Sequence, residues 1–160
     1  MATPIAILGS DSPSWVAAIL GWRSTWLAAR IVLTAAYVYG GFVKLLDFHA
    51  AIAEQEHFGL HPGWFWAAIA VVVELGGSAL VISGRLVWLG AGALGVLTAI
   101  ATLVANDFWH AQGGGQVMLT NTFLEHLGLI AGFVLVAIMS ERAVADVSVS
   151  KGWPVSKGVG

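Results

Sequence analysis

Lys44, Glu74 and Glu125 are ionisable side chains inside stretches that are otherwise apolar. A charge in hydrocarbon costs about 2.5–3.5 kcal/mol even on the lenient insertion scale, so it needs a partner or a task. Glu74 falls near the middle of its stretch, where a carboxyl can relay a proton, and Tyr37 is the evident polar group at its depth. Lys44 offers a cation to an anion or to a carbonyl oxygen. At 1.5 Å per residue, Lys44 lies roughly 11 Å and Glu125 roughly 7 Å above the middle of their helices, so these two are expected to pair. Tyr37, Asn121, His126 and Trp109 are the candidate pocket residues around them. Arg30, Tyr37 and Lys44 recur every seven residues and share one helix face, as do Asn121, Glu125, Gly128 and Gly132. The competing reading makes the same charges buried packing partners that fix helix register without chemistry.

Other chemistries are narrowed by residue type. With no cysteine, the chain has no disulfide, iron–sulfur or dithiol chemistry. Of the five histidines, His49, His57, His61 and His110 fall between the apolar stretches, and His126 falls within one. Bis-His haem needs two axial ligands at paired depth, so it is not expected. Glu54-x-x-His57 has the spacing of di-iron bundles but occurs once, where two copies and further carboxylates are needed. No metal site is therefore assigned.

These residues are positioned by an unusual chain. It has 160 residues, 58% hydrophobic and 10% charged, with 8 Trp and 20 Gly. Soluble domains are roughly 25% charged, and a chain this apolar takes the lipid bilayer as its solvent. A net charge of −2 without a basic block leaves no footprint for nucleic acid. Four apolar runs, about Trp26–Leu46, Trp64–Ile82, Leu86–Ala105 and Asn121–Met139, each approach the ~20 residues that span a bilayer as a helix. The expected fold is all-α, a four-helix transmembrane bundle over residues 26–140. Residues 1–25 form a tail with a short amphipathic interfacial segment, and 141–160 a polar cytoplasmic tail. Six of the seven Lys and Arg residues sit at the termini and the Ser83–Arg85 turn, which predicts both termini in the cytoplasm and a multi-pass inner-membrane protein. The two longer connections then face outward. In the first, Asp47 is expected to cap a surface helix and Gly59 to end it. In the second, Gln112–Gln116 is expected to be a flexible glycine stretch. Small residues at four-residue spacing (Ala36/Gly40, Ala91/Gly95, Gly128/Gly132) are expected to bring the helices together.

Arg30 followed by Tyr39-Gly40-Gly41-Phe42-Val43-Lys44-Leu45-Leu46-Asp47 resembles the first-helix pattern of the DoxX family of membrane proteins. Glu74-Leu75-Gly76-Gly77 with Gly84-Arg85 is similar to its second helix and turn. Ala101-Thr102, Phe108-Trp109-His110 and Asn121-x-Phe123-Leu124-x-His126-x-Gly128 resemble its third and fourth helices. The resemblance covers about residues 26–140 and implies a four-helix inner-membrane protein. Some members are subunits of thiosulfate:quinone oxidoreductase or terminal quinol oxidase systems.

Three readings follow. The first is a subunit or accessory of a membrane redox system, with quinone as the candidate cofactor and a membrane or periplasmic redox protein as partner. In it Glu74, Lys44 and Glu125 form an outward-facing polar pocket. The second is a small dimeric transporter in which Glu74 binds a proton or cation at mid-depth. The third is a non-catalytic membrane scaffold. The sequence leaves open whether the chain is an enzyme and whether it forms a homodimer.

Overall fold

A computed structural model describes residues 12–150, with side chains through residue 143. Every regular element among the described residues is a helix: α1 (Ser14–Gly21), α2 (Arg23–Leu46), α3 (Phe48–His57), α4 (Gly63–Ser83), α5 (Val87–Ala105) and α6 (Gly113–Ser150). Four of them, Arg23–Leu46, Gly63–Ser83, Val87–Ala105 and Gly113–Ala143, are long and apolar enough to cross a membrane. The expected four spans are present; the first three move by at most three residues, and the fourth starts eight residues earlier than expected.

The chain runs up α2, crosses one end through α3, descends α4, turns at Gly84, rises along α5 and descends α6. One end of the bundle is thus the α3 end and the other the Gly84 end. In space α4 packs against α2 and α5, and α5 against α6. α1 touches α2 and buries no side chain. At 8 residues it is too short to span a bilayer. Large apolar side chains such as Val32, Leu46, Val72 and Leu103 stand exposed around the bundle. A membrane covers such a surface, because acyl chains replace the buried interior that these residues would need in water.

The core is small. Val81, Ala91, Leu94 and Phe133 are buried together, and Tyr37 meets Phe133 edge-on at 5.4 Å between ring centres. Close approach comes from glycines, partly where the spacing suggested, as at Gly40 and Gly132, and partly elsewhere. A Cβ on Gly41 would sit 2.8 Å from Leu75, one on Gly77 2.9 Å from Leu94, and one on Gly90 2.7 Å from the Gly77 carbonyl oxygen. Gly95 and Gly128 face open space instead. Four-residue spacing identifies a small-residue face but not its rotation toward a neighbour.

α3 forms as its sequence signals predict. The Asp47 side chain accepts a hydrogen bond from the Ala50 amide at 3.0 Å, satisfying one of the helix's orphan donors. Gly59, at φ +75°, takes the left-handed turn after its end. The Gln112–Gln116 stretch differs from expectation. Gly113 to Gly115 form the first turn of α6, and a Cβ on any of them would meet nothing within 4 Å. α6 is also longer than expected. Its 38 residues continue through Ser150, about 57 Å at 1.5 Å per residue against a ~30 Å hydrocarbon layer. Residues 1–11 of the loose tail expected over 1–14, and residues 151–160 of the tail expected over 141–160, lie outside the described residues.

Candidate functional site

Gly40 and Gly41 bring α2 onto the middle of α4. A Cβ on Gly40 would be 3.4 Å from Glu74 Oε2, and one on Gly41 3.2 Å from the Glu74 Cβ. With no side chain between them, Lys44, one turn on, reaches the same carboxyl. Its Nζ donates to Glu74 Oε1 at 3.1 Å. The pair is mostly withdrawn from its surroundings, with side-chain exposures of 19% for Lys44 and 12% for Glu74. Opposite charges in such a setting offset each other's desolvation, which neither would survive alone. Glu74 Oε2 remains buried and without a hydrogen-bond partner.

The expected pairing of Lys44 with Glu125 is therefore replaced by Lys44 with Glu74. The reason is which helix lies beside α2: it packs along α4 and touches α6 only lightly. Side chains on a helix lean toward its N-terminus, so Lys44 on rising α2 leans down, Glu74 on descending α4 leans up, and the two converge. Glu125 stands exposed on α6.

A cavity of about 190 Å³ lies over this pair, between α4, α5 and the α3 roof. Ile69, Ala70 and Trp66 form its α4 wall, and Leu97, Ile100 and Ala101 its α5 wall. Glu54, Gln55 and Phe58 of α3, with Leu60, close it above. The roof is held against α4 where a Cβ on Gly63 would sit 2.6 Å from the Glu56 side chain and 2.8 Å from the Ile52 carbonyl oxygen. The result is a chamber with largely apolar walls and with a cation and a half-satisfied carboxylate at its floor.

A second polar line runs up α5. Thr98, Thr102 and Asn106 are four residues apart and buried. Thr98 Oγ1 donates to the Leu94 carbonyl at 2.7 Å, so it accepts from the Tyr37 hydroxyl. Thr102 Oγ1 donates to the Thr98 carbonyl at 2.6 Å, so it accepts from His126 Nδ1 at 2.7 Å. A hydroxyl has one proton to give, and these bonds make His126 an Nδ1–H donor whose Nε2 carries the lone pair when the ring is neutral. Asn106 Nδ2 donates to the Leu119 carbonyl at 2.9 Å. This line joins α2, α5 and α6 into one network.

The structure brings Lys44 and Glu74 together and leaves the other sequence candidates apart from them. Tyr37 and His126 belong to the α5 line. Trp109 is exposed beside Phe108, 4.9 Å between ring centres. Asn121 is exposed on α6. None of these four lines the cavity. Among the described residues, no three His, Asp or Glu side chains converge as a metal would require. Trp66 and Phe58 escaped the sequence reading of the site, and Glu54 entered it only through its spacing to His57. So did Thr98 and Asn106, although hydroxyl and amide side chains at four-residue spacing in an apolar run were a visible signal.

The family model described as DoxX matches residues 25–107, more than half of the chain, from the start of α2 to just beyond α5. No curated protein and no solved structure matches it.

Proposed function

The chain belongs to the DoxX family, a multi-pass membrane protein, and on that premise we propose that it binds a quinone-type headgroup as a subunit of a membrane redox system. The observation that carries the proposal is the Lys44–Glu74 pair at the floor of the cavity beneath α3, with one carboxylate oxygen unpaired. Drug-sized ligands occupy about 300–1,000 Å³; a cavity of about 190 Å³ suits a single-ring headgroup and excludes haem. A bound quinol supplies two electrons and two protons to a redox partner. Lys44 Nζ has N–H bonds beyond the one given to Glu74, and these donate to a carbonyl oxygen. Glu74 Oε2, which has no other hydrogen-bond partner, accepts a hydroxyl proton. Trp66 and Phe58 supply the apolar surface and help to exclude water. Glu125 plays no part in this arrangement, since it stands exposed on α6.

The test is saturable binding of a short-chain quinol analogue to the purified protein in nanodiscs. Ala101→Phe fills the cavity without touching either charge and is expected to abolish binding. Glu74→Gln, which keeps the shape and loses the acceptor charge, is expected to weaken it about tenfold, as for a lost charge-assisted hydrogen bond. Binding that survives Ala101→Phe unchanged overturns the proposal. The unpaired Glu74 oxygen near mid-bundle favours one second reading, a proton- or cation-coupled transporter. Cation-driven proton flux into proteoliposomes, lost in Glu74→Gln and present without quinol binding, would establish that reading instead.

The α3 end faces the periplasm in this proposal, with both termini cytoplasmic in the inner membrane, because six of the seven Lys and Arg residues lie toward the other side. A reporter active only in the periplasm, fused after Gly160, is expected to stay silent. The same reporter inserted after Gly59 is expected to be active. The reverse pattern would turn the cavity toward the cytoplasm.

A further inference from the structure

The Gly84 end of the bundle holds a second polar cavity, of about 430 Å³, that the proposed function leaves unused. Arg30 reaches it from α2. Its guanidinium lies over the Trp26 ring, 5.4 Å from the ring centre, and Nη2 donates to Ser140 Oγ at 3.0 Å. Nη1 rests against Gly84, where a Cβ would come within 2.7 Å of it. Nε is buried without a partner. The guanidinium thus turns to a hydroxyl rather than to the carboxylate of Glu141, which lines the same cavity. Ser140 accepts from Arg30 and keeps its own proton to donate. An arginine fork with unfilled donors beside a hydroxyl suits a phosphate oxygen pair. Glu141 would repel a simple anion and attract an ammonium group. The three side chains together complement a headgroup that carries both a phosphate and an amine.

The apolar surroundings fit the rest of such a molecule. Trp88, in the first turn of α5, lines the polar cavity and also two grooves. One groove, about 420 Å³, lies between α5 and α6 over Gly95 and Phe133. The other, about 480 Å³, lies between α4 and α5 along Val73 and Ile100. Trp88, Gly92 and Val96 line both grooves. They follow one another at four-residue spacing and so form a ridge with a groove on each side. A polar cavity adjoining paired apolar grooves matches one headgroup with two acyl chains.

We propose that the Gly84 end is a specific site for a diacyl phospholipid with an amine headgroup, of the phosphatidylethanolamine type. Its phosphate meets Arg30 and Ser140, its ammonium meets Glu141, and its chains straddle α5. The test is native mass spectrometry of the delipidated chain, given dioleoyl phosphatidylethanolamine, dioleoyl phosphatidylglycerol or inorganic phosphate. The amine lipid is expected to be retained about tenfold better than the glycerol lipid, the size of one charge-assisted contact. Glu141→Gln, at an exposed position, is expected to erase that preference while retention of the glycerol lipid persists. Arg30→Gln is expected to reduce retention of both. Gly92→Leu projects into open space, since nothing lies within 4 Å of a Cβ there, and is expected to fold normally and lose the lipid. Equal retention of the two lipids by the unmodified chain overturns the proposal. So does full retention in Gly92→Leu. Inorganic phosphate that competes as well as the amine lipid would make this a free-anion site and overturn the lipid assignment.

Discussion

Lys44→Met is expected to destabilise the detergent-solubilised protein by about 3 kcal/mol, and the double variant Lys44→Met with Glu74→Gln by clearly less. The single change leaves Glu74 as a lone charge with 12% of its side chain exposed, packed beside Gly40 of α2. The double change removes both charges and leaves a neutral amide at much the same volume. Glu74→Gln alone is expected to be the milder single, because the flexible lysine can swing its ammonium toward the membrane surface. Thermal unfolding followed by circular dichroism gives the three differences, and their interaction energy measures the pair. The same cycle run on Lys44 and Glu125 is expected to be additive, since Glu125 stands exposed on another helix. Additivity for Lys44 and Glu74 would mean that the ion pair contributes nothing to stability and that Glu74 is satisfied by another group.

The contrast between these two cycles shows where sequence reasoning ends in this chain. Span number, the lengths of the first three spans and the α3 cap were legible, because each depends on the chain's own periodicity or on a residue a few positions away. Asp47 and Gly59 are local signals and did what they signal. The partner of Lys44 was not legible from depth alone. Depth counted along the helix axis locates Cα atoms, whereas a lysine side chain extends several ångströms from its own and leans toward the helix N-terminus. Direction does not separate the two carboxylates, since α4 and α6 both descend from the α3 end; which of them packs along α2 does, and that is a tertiary fact. Helix rotation is a further unknown that four apolar spans do little to fix, because lipid tolerates an apolar face on any side. That is why Gly128 and Gly95 face open space while Gly41, Gly77 and Gly90 make the contacts. The Thr98–Thr102–Asn106 line was legible in principle. A polar side chain in an apolar helix has to bond somewhere, and four-residue spacing turns all three to one neighbouring seam.

α5 should answer with opposite signs to the same substitution made two residues apart. Gly90→Ala is expected to lower stability by about 1–3 kcal/mol, the usual range for overpacking a close contact. Its Cβ would lie 2.7 Å from the Gly77 carbonyl oxygen and 2.8 Å from the Leu80 Cβ. Backbone oxygen cannot rotate aside, so α4 and α5 must separate. That separation loosens Leu94, which is fully buried and packed where a Cβ on Gly77 would sit. Alanine's better helix propensity, about 1 kcal/mol over glycine, offsets only part of the loss. Gly92→Ala gains the same propensity and meets nothing within 4 Å, so it is expected to be neutral or stabilising by up to about 1 kcal/mol. Melting temperatures of the two variants in one detergent make the comparison, with lipid content held equal because Gly92 borders both grooves. If Gly90→Ala melts at or above the unmodified protein, α4 and α5 do not approach through their glycines. The walls of the cavity over Lys44 and Glu74, which rest on that approach, would then need a different account.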